Sequence, residues 1–152
     1  MVNRLLSYLL LSFIPSVLAM VTAAGQNTQD DWHLLADVQI EKKWDEILQE
    51  ERDFPTFGQK LRVKDGQIIE LSGFMVPLEE LTGQKYFVIS SLPFQSCFFC
   101  GGAGPETVAE VRTRETIEFT EKKIRIKGTL RLNSADPLSL YYVLEDAEVL
   151  DH

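Results

Sequence analysis

Ile124-Arg125-Ile126-Lys127-Gly128-Thr129-Leu130-Arg131-Leu132 places an apolar or small residue at every even position and a polar one at every odd position. Successive strand side chains point to opposite faces, so this period of two predicts a strand with one buried and one solvated side. Asn133-Ser134-Ala135-Asp136-Pro137 follows with the composition of a turn. Leu140 to Leu144, with Ala147 and Val149 beyond, predicts a final strand or pair of strands. Upstream, Thr107–Thr113 and Thr116–Thr120 predict two short strands with a break between them. Tyr86 to Leu92 is apolar on both faces, which suits a central strand ending at Pro93.

Further toward the N-terminus, Asp65-Gly66 is a turn pair opening a long strand from Gln67 to Leu78. Ile69, Leu71 and Met75 fall on one side of it, and Phe74, Val76 and Leu78 on the other. Gly73 in its middle marks a bulge or the tight bend of a barrel. Gly83 marks the next turn. Five or six strands with mid-strand glycines, in about 90 residues, predict a mainly β fold: a small closed or nearly closed antiparallel barrel of the OB type. A small sandwich is the alternative. Before the barrel, alternation of Leu34, Ala36, Val38 and Ile40 predicts a strand to about Ile40. Trp44, Ile47 and Leu48 at spacings of three and four predict a short helix over Lys43–Glu51. Thr56 is a candidate cap for another short helix through Leu61.

The first 24 residues have the build of a secretory signal: Arg4, an apolar run from Leu5 to Val21, and small residues to Ala24. The expected organisation is a signal peptide over 1–24, a flexible start over 25–31, and a single OB-like domain over 32–152. Pro15 and the short run count against a retained anchor, and no cysteine lies near the exit to carry a lipid. The expected product is a soluble periplasmic protein with no integral membrane segment after cleavage. Loss of Arg4 from the 15 basic and 23 acidic side chains moves the net charge from −8 to −9. Such a balance argues against nucleic acid as a partner, because phosphate binding depends on Lys and Arg.

Both cysteines stand in Phe94-Gln95-Ser96-Cys97-Phe98-Phe99-Cys100-Gly101-Gly102-Ala103-Gly104-Pro105-Glu106, together with three of the nine glycines. Gly101, Gly102, Gly104 and Pro105 shape the loop. Three readings of Cys97 and Cys100 are open. An exported chain with two cysteines has one disulfide available. Two thiolates from one turn can occupy two corners of a tetrahedral metal site, with Glu106 or His33 as candidate further ligands. A redox pair is the third, weakened because no Lys, Arg or His adjoins the sulfurs to lower a thiol pKa. Gly101 stands where a haem-attachment motif needs His, and a four-cysteine site fails by count. His152 ends the chain. Phe94, Phe98 and Phe99 suit packing or a lid. No catalytic residues can be assembled, and no enzymatic activity is expected.

The chain resembles an uncharacterised family of exported bacterial proteins, DUF3299-like and built on an OB-type barrel. The resemblance lies in Leu34-Leu35-Ala36-Asp37-Val38, Phe54-Pro55-Thr56-Phe57-Gly58, Leu71-Ser72-Gly73-Phe74-Met75-Val76-Pro77-Leu78 and above all Ser96–Glu106. Gly128-Thr129-Leu130 and Leu144-Glu145-Asp146-Ala147-Glu148 look similar too. More distant exported proteins carry a Cys-x-His pair in the equivalent loop and are associated with metal uptake. What the resemblance implies is metal contact at Cys97 and Cys100, with zinc or copper as the expected ion. An envelope transporter or chaperone is the partner it implies. This chain lacks the histidine and the proline run of those relatives.

Overall fold

The computed structural model describes residues 30–46, 48–77, 84–96 and 98–151. In chain order come α1 (Trp32–Leu35), β1 (Val38–Asp45), β2 (Glu50–Phe57), α2 (Gln59–Arg62), β3 (Ile68–Pro77) and β4 (Gln84–Ser90). Three single 3-10 turns follow at Phe94–Ser96, Phe98–Cys100 and Pro105–Thr107, then β5 (Val108–Ile117), β6 (Ile124–Leu132) and β7 (Tyr142–Asp151).

Strands β3 to β7 close into a five-stranded barrel in the order β3-β4-β5-β7-β6, with β6 returning to β3. This is the strand order of an OB-type barrel. Four seams are antiparallel and the β5–β7 seam is parallel, pairing Glu110 with Val143 and Val111 with Leu144. Parity requires the exception: directions cannot alternate all the way round a ring of five. The alternation of β6 is realised, with Ile124, Ile126, Gly128 and Leu130 buried and the residues between them partly exposed. Its apolar side meets Leu71, Phe87, Ile89, Val111 and Leu144 in the barrel core. Leu35 of α1 and Leu61 of α2 join that core, so the two short helices plug it.

Gly73 is where β3 changes partner. Ile68–Gly73 pair with β6, and Phe74–Pro77 pair with β4. A Cβ at Gly73 would land on the backbone carbonyl of Ser90, so the bend brings two backbones closer than any side chain permits.

The N-terminal expectations need correction. Residues 43–51 are not a helix: β1 runs through Asp45, β2 starts at Glu50, and the two form a separate antiparallel hairpin. Asp45 makes the turn, accepting the Leu48 N–H at 3.1 Å through Oδ1 and the Gln49 N–H at 2.8 Å through its carbonyl. Gln49 takes φ +57°. Trp44 and Leu48, whose spacing suggested a helix face, are exposed. Over 32–35 a helical turn replaces the expected strand. It is held by the Leu34 N–H to the Asp31 carbonyl and by Trp32 Nε1–H to the Ser72 carbonyl. Thr56 lies inside β2 and caps nothing; Asp37 Oδ2 instead accepts the Lys60 and Leu61 N–H groups at the start of α2. The two strands expected over 107–120 are one, β5, with a register shift beyond Val111. The signal peptide over 1–24 and the start over 25–29 lie outside the described residues. Among the described residues no helix is long and apolar enough to cross a membrane.

Candidate functional site

The cysteine loop leaves the barrel after Ser90 and returns to it at Val108. Its two ends are stitched together by the Ser91 N–H donating to the Thr107 carbonyl at 2.9 Å. Between them each 3-10 turn closes on a backbone bond: Ser96 N–H to Pro93, Gly101 N–H to Phe98 at 2.9 Å, and Thr107 N–H to Gly104. The Thr107 hydroxyl also donates to the Gly104 carbonyl at 2.7 Å.

The glycines and proline do separate jobs. Gly101 takes φ +73°, the left-handed angle that ends the turn bearing Cys100. Gly102 lies so close to the Ser96 carbonyl that a Cβ would stand 2.6 Å from its oxygen. Pro105 opens the last turn, where its fixed φ suits a first helical position. Phe98 anchors the loop: it packs with Leu140 on a satellite cluster of Val76, Val88 and Val108, apart from the main core. Phe99 meets Phe98 edge to face at 5.5 Å between centroids and is half exposed. Thus one of the expected packing phenylalanines holds the loop down and another sits over it.

Cys100 is exposed at the end of its turn. Cys97 and His152 lie outside the described residues. Glu106 is on the last 3-10 turn, its carboxylate over Gly104. His33 is exposed on α1, which packs beside that turn, and its Nδ1 lies 3.1 Å from the Asp30 carbonyl. Among the described residues no three His, Cys, Asp or Glu side chains gather as a metal-binding group. The structure therefore does not bring Cys100, Glu106 and His33 together as one ligand set.

Beside the loop lies a feature that sequence reading missed, a cleft of about 230 Å³. Phe98 and Pro105 of the loop, Asp53 and Pro55 of β2, and Asp136 and Tyr141 of the β6–β7 connection line it. Asn133 sets that connection. Its Nδ2 donates to the carbonyls of Asp136, Ser139 and Leu140, and its Oδ1 accepts from the Ala135 and Asp136 N–H groups. The buried carboxylate of Glu110 holds the same connection from below, accepting the Leu140 N–H at 2.6 Å and Arg112 Nη2 at 3.2 Å. Burial, and then the neighbouring Glu110 charge, raise the pKa of Tyr86 above its ordinary value. The Tyr141 hydroxyl donates to the Asp53 carbonyl at 3.3 Å. Burial and then the Asp53 charge raise its pKa also. The turn composition of 133–137 was a signal for this connection; nothing local pointed to a cavity.

Fold and loop together define a small OB-type barrel that carries a cysteine turn on its rim. It is similar to the crystal structure of a DUF3299 family protein from Pseudomonas aeruginosa, with 17% identity over 64% of this chain and 68% of that one, at a TM-score of 0.46. No family model and no curated protein matches the chain.

Proposed function

We propose that this chain is an exported, non-enzymatic barrel of the DUF3299-like kind whose Cys97–Cys100 turn binds a soft transition metal, Zn²⁺ or Cu⁺, and hands it on. The metal is cargo, and the barrel is the handle. One observation carries the reading: Cys100 is exposed at the end of a turn that Phe98 pins to the barrel and Gly101 terminates. A sulfur displayed on a stiff, shallow turn can be reached by a second protein. Thiolate ligands select zinc and copper(I) over hard cations. Structural zinc sites are closed by four ligands, whereas transfer needs positions that the receiver can fill. The envelope transporter or chaperone that receives the ion would supply the remaining ligands.

Titration of the reduced protein with Zn²⁺ and with Cu⁺, in competition with a chromogenic chelator, tests this reading. Stoichiometric binding is expected, lost in a Cys97→Ser/Cys100→Ser variant. Binding no tighter than that of the variant ends the proposal. Mass spectrometry of protein taken directly from the cell envelope gives a second check. A quantitative Cys97–Cys100 disulfide there would favour a stapled assembly module, and insulin reduction by the protein would favour a thiol oxidoreductase.

A further inference from the structure

Backbone parity in the β1–β2 hairpin shows which of its groups face outward. Ile40 stands opposite Pro55. Proline has no N–H, so these two cannot exchange a pair of backbone hydrogen bonds. Bonded and non-bonded pairs alternate along an antiparallel ladder, which makes Gln39–Thr56, Glu41–Phe54 and Lys43–Arg52 the bonded ones. Asp53 agrees: its carbonyl points away from β1 and accepts the Tyr141 hydroxyl at 3.3 Å. Ile40, Lys42 and Trp44 therefore aim their N–H and C=O groups away from β2.

The two outer edges differ. On β2, Pro55 lacks a donor, Tyr141 occupies the Asp53 carbonyl, and the cleft beside the cysteine turn lies alongside. Proline on an edge blunts it. The eight residues of β1 include no proline or glycine, their register with β2 has no bulge, and Gln39 through Trp44 are all exposed. Among the described residues no third strand joins this sheet. A straight edge of this kind is a template for one more strand.

The side chains decide which strand. A second copy of β1, set antiparallel about a twofold axis at Lys42, brings Ile40 against the partner's Trp44 and Glu41 against the partner's Lys43, each twice by symmetry. The Glu41–Lys43 contacts fall at non-bonded positions, where side chains stand closest. Lys42 meets its own copy, and a lysine on an edge ordinarily discourages pairing. Here each Lys42 has Asp53 as its cross-strand neighbour, so that row of four carries no net charge. β1 itself balances Glu41 and Asp45 against Lys42 and Lys43, in a chain of net charge −8. Moving the axis one residue either way sets Glu41 against itself, or Lys43 against itself and Glu41 against Asp45. One register is thus complementary and its neighbours are not.

We infer that the outer edge of β1 is a self-association surface, through which two copies of the chain join their hairpins into one four-stranded antiparallel sheet centred on Lys42. The cysteine turn lies on the β2 side, so the thiols take no part and the proposal is independent of the metal reading.

Sedimentation equilibrium of the Cys97→Ser/Cys100→Ser protein tests it, with thiol-bridged and metal-bridged dimers excluded by the substitutions. A single strand pair is a small interface, and a Kd on the order of 100 μM is expected. Amide exchange should slow with rising concentration at Ile40, Lys42 and Trp44, while Gln39, Glu41 and Lys43, already bonded to β2, change little. Lys42→Pro removes a donor that the hairpin does not use and should leave a folded monomer. Glu41→Lys alone or Lys43→Glu alone should weaken association about tenfold, and the two together should restore it. A monomer persisting at about 1 mM would overturn the proposal. So would a dimer indifferent to Lys42→Pro, or a double variant no tighter than the single ones.

Discussion

Gly73 and Gly101 show how differently two glycines can be required. At Gly73 an added Cβ meets backbone, the Ser90 carbonyl, which cannot rotate away. At Gly101 nothing lies within 4 Å of an added Cβ, and only the φ of +73° opposes it. Gly73→Ala should therefore cost about 2–3 kcal/mol, in the range of an overpacked core, and Gly101→Ala about 1 kcal/mol, the left-handed penalty. Urea titrations would show both as falls in midpoint at unchanged slope. Equal costs would mean that the β3 corner relaxes freely. Gly73 was legible in the sequence because a glycine inside an apolar strand pattern marks a bend or a close backbone approach. The glycines after Cys100 were legible as loop formers because a cluster of them interrupts any strand or helix pattern. Asp53, Asp136 and Tyr141 were not. They are 83 and five residues apart along the chain, and only the packing of the β1–β2 hairpin beside the β6–β7 connection sets them near Phe98.

The β1–β2 hairpin is the element that sequence reading misjudged, and its burial explains why. Gln39 through Trp44 are all exposed, so no buried face imposes a period of two on β1. With that signal absent, Trp44, Ile47 and Leu48 at helical spacing dominated. What holds the hairpin is polar and local: the Asp45 turn, the Arg52–Asp45 pair with both side chains mostly buried, and Arg52 stacked near Phe54. Its base is tied to the barrel by Phe57, 6.0 Å from Tyr142 between ring centroids. Stability in such an element is set separately from that of the core. Arg52→Ala should loosen the hairpin by about 1 kcal/mol or more, above the range for exposed pairs because both side chains are mostly buried. Hydrogen exchange should then speed up about fivefold at β1 and β2 amides and stay unchanged in β3 to β7. Uniform acceleration across the barrel would show that the hairpin unfolds only with the whole.

For the whole molecule, the barrel was readable because β3, β4 and β6 carry their own patterns, while the closing order depends on pairings between strands distant in sequence. β7 shows the consequence. It joins β5 to β6, and its first residue, Tyr142, is fully buried with its hydroxyl donating to the Leu35 carbonyl of α1 at 2.7 Å. One phenol thereby links the last strand to the first helix. Burial, and then the Glu106 charge, push its pKa far above the ordinary tyrosine value. Tyr86 and Tyr141 are raised too, with burial as the leading cause. The sign follows from proton counts. Below about pH 10 unfolded and folded tyrosines are both protonated, and the full stability is present. Above it the unfolded chain loses phenolic protons that the fold retains, so stability falls with rising pH. Tyr142→Phe should cost about 1–2 kcal/mol at neutral pH, because the Leu35 carbonyl loses its donor. Between about pH 10 and 12 the variant should lose stability less steeply than the parent, by up to about 1.4 kcal/mol per pH unit, the contribution of one proton. Denaturant midpoints measured across that range decide it: parallel slopes for the two proteins would mean that the Tyr142 hydroxyl ionises as readily inside the barrel as in the unfolded chain.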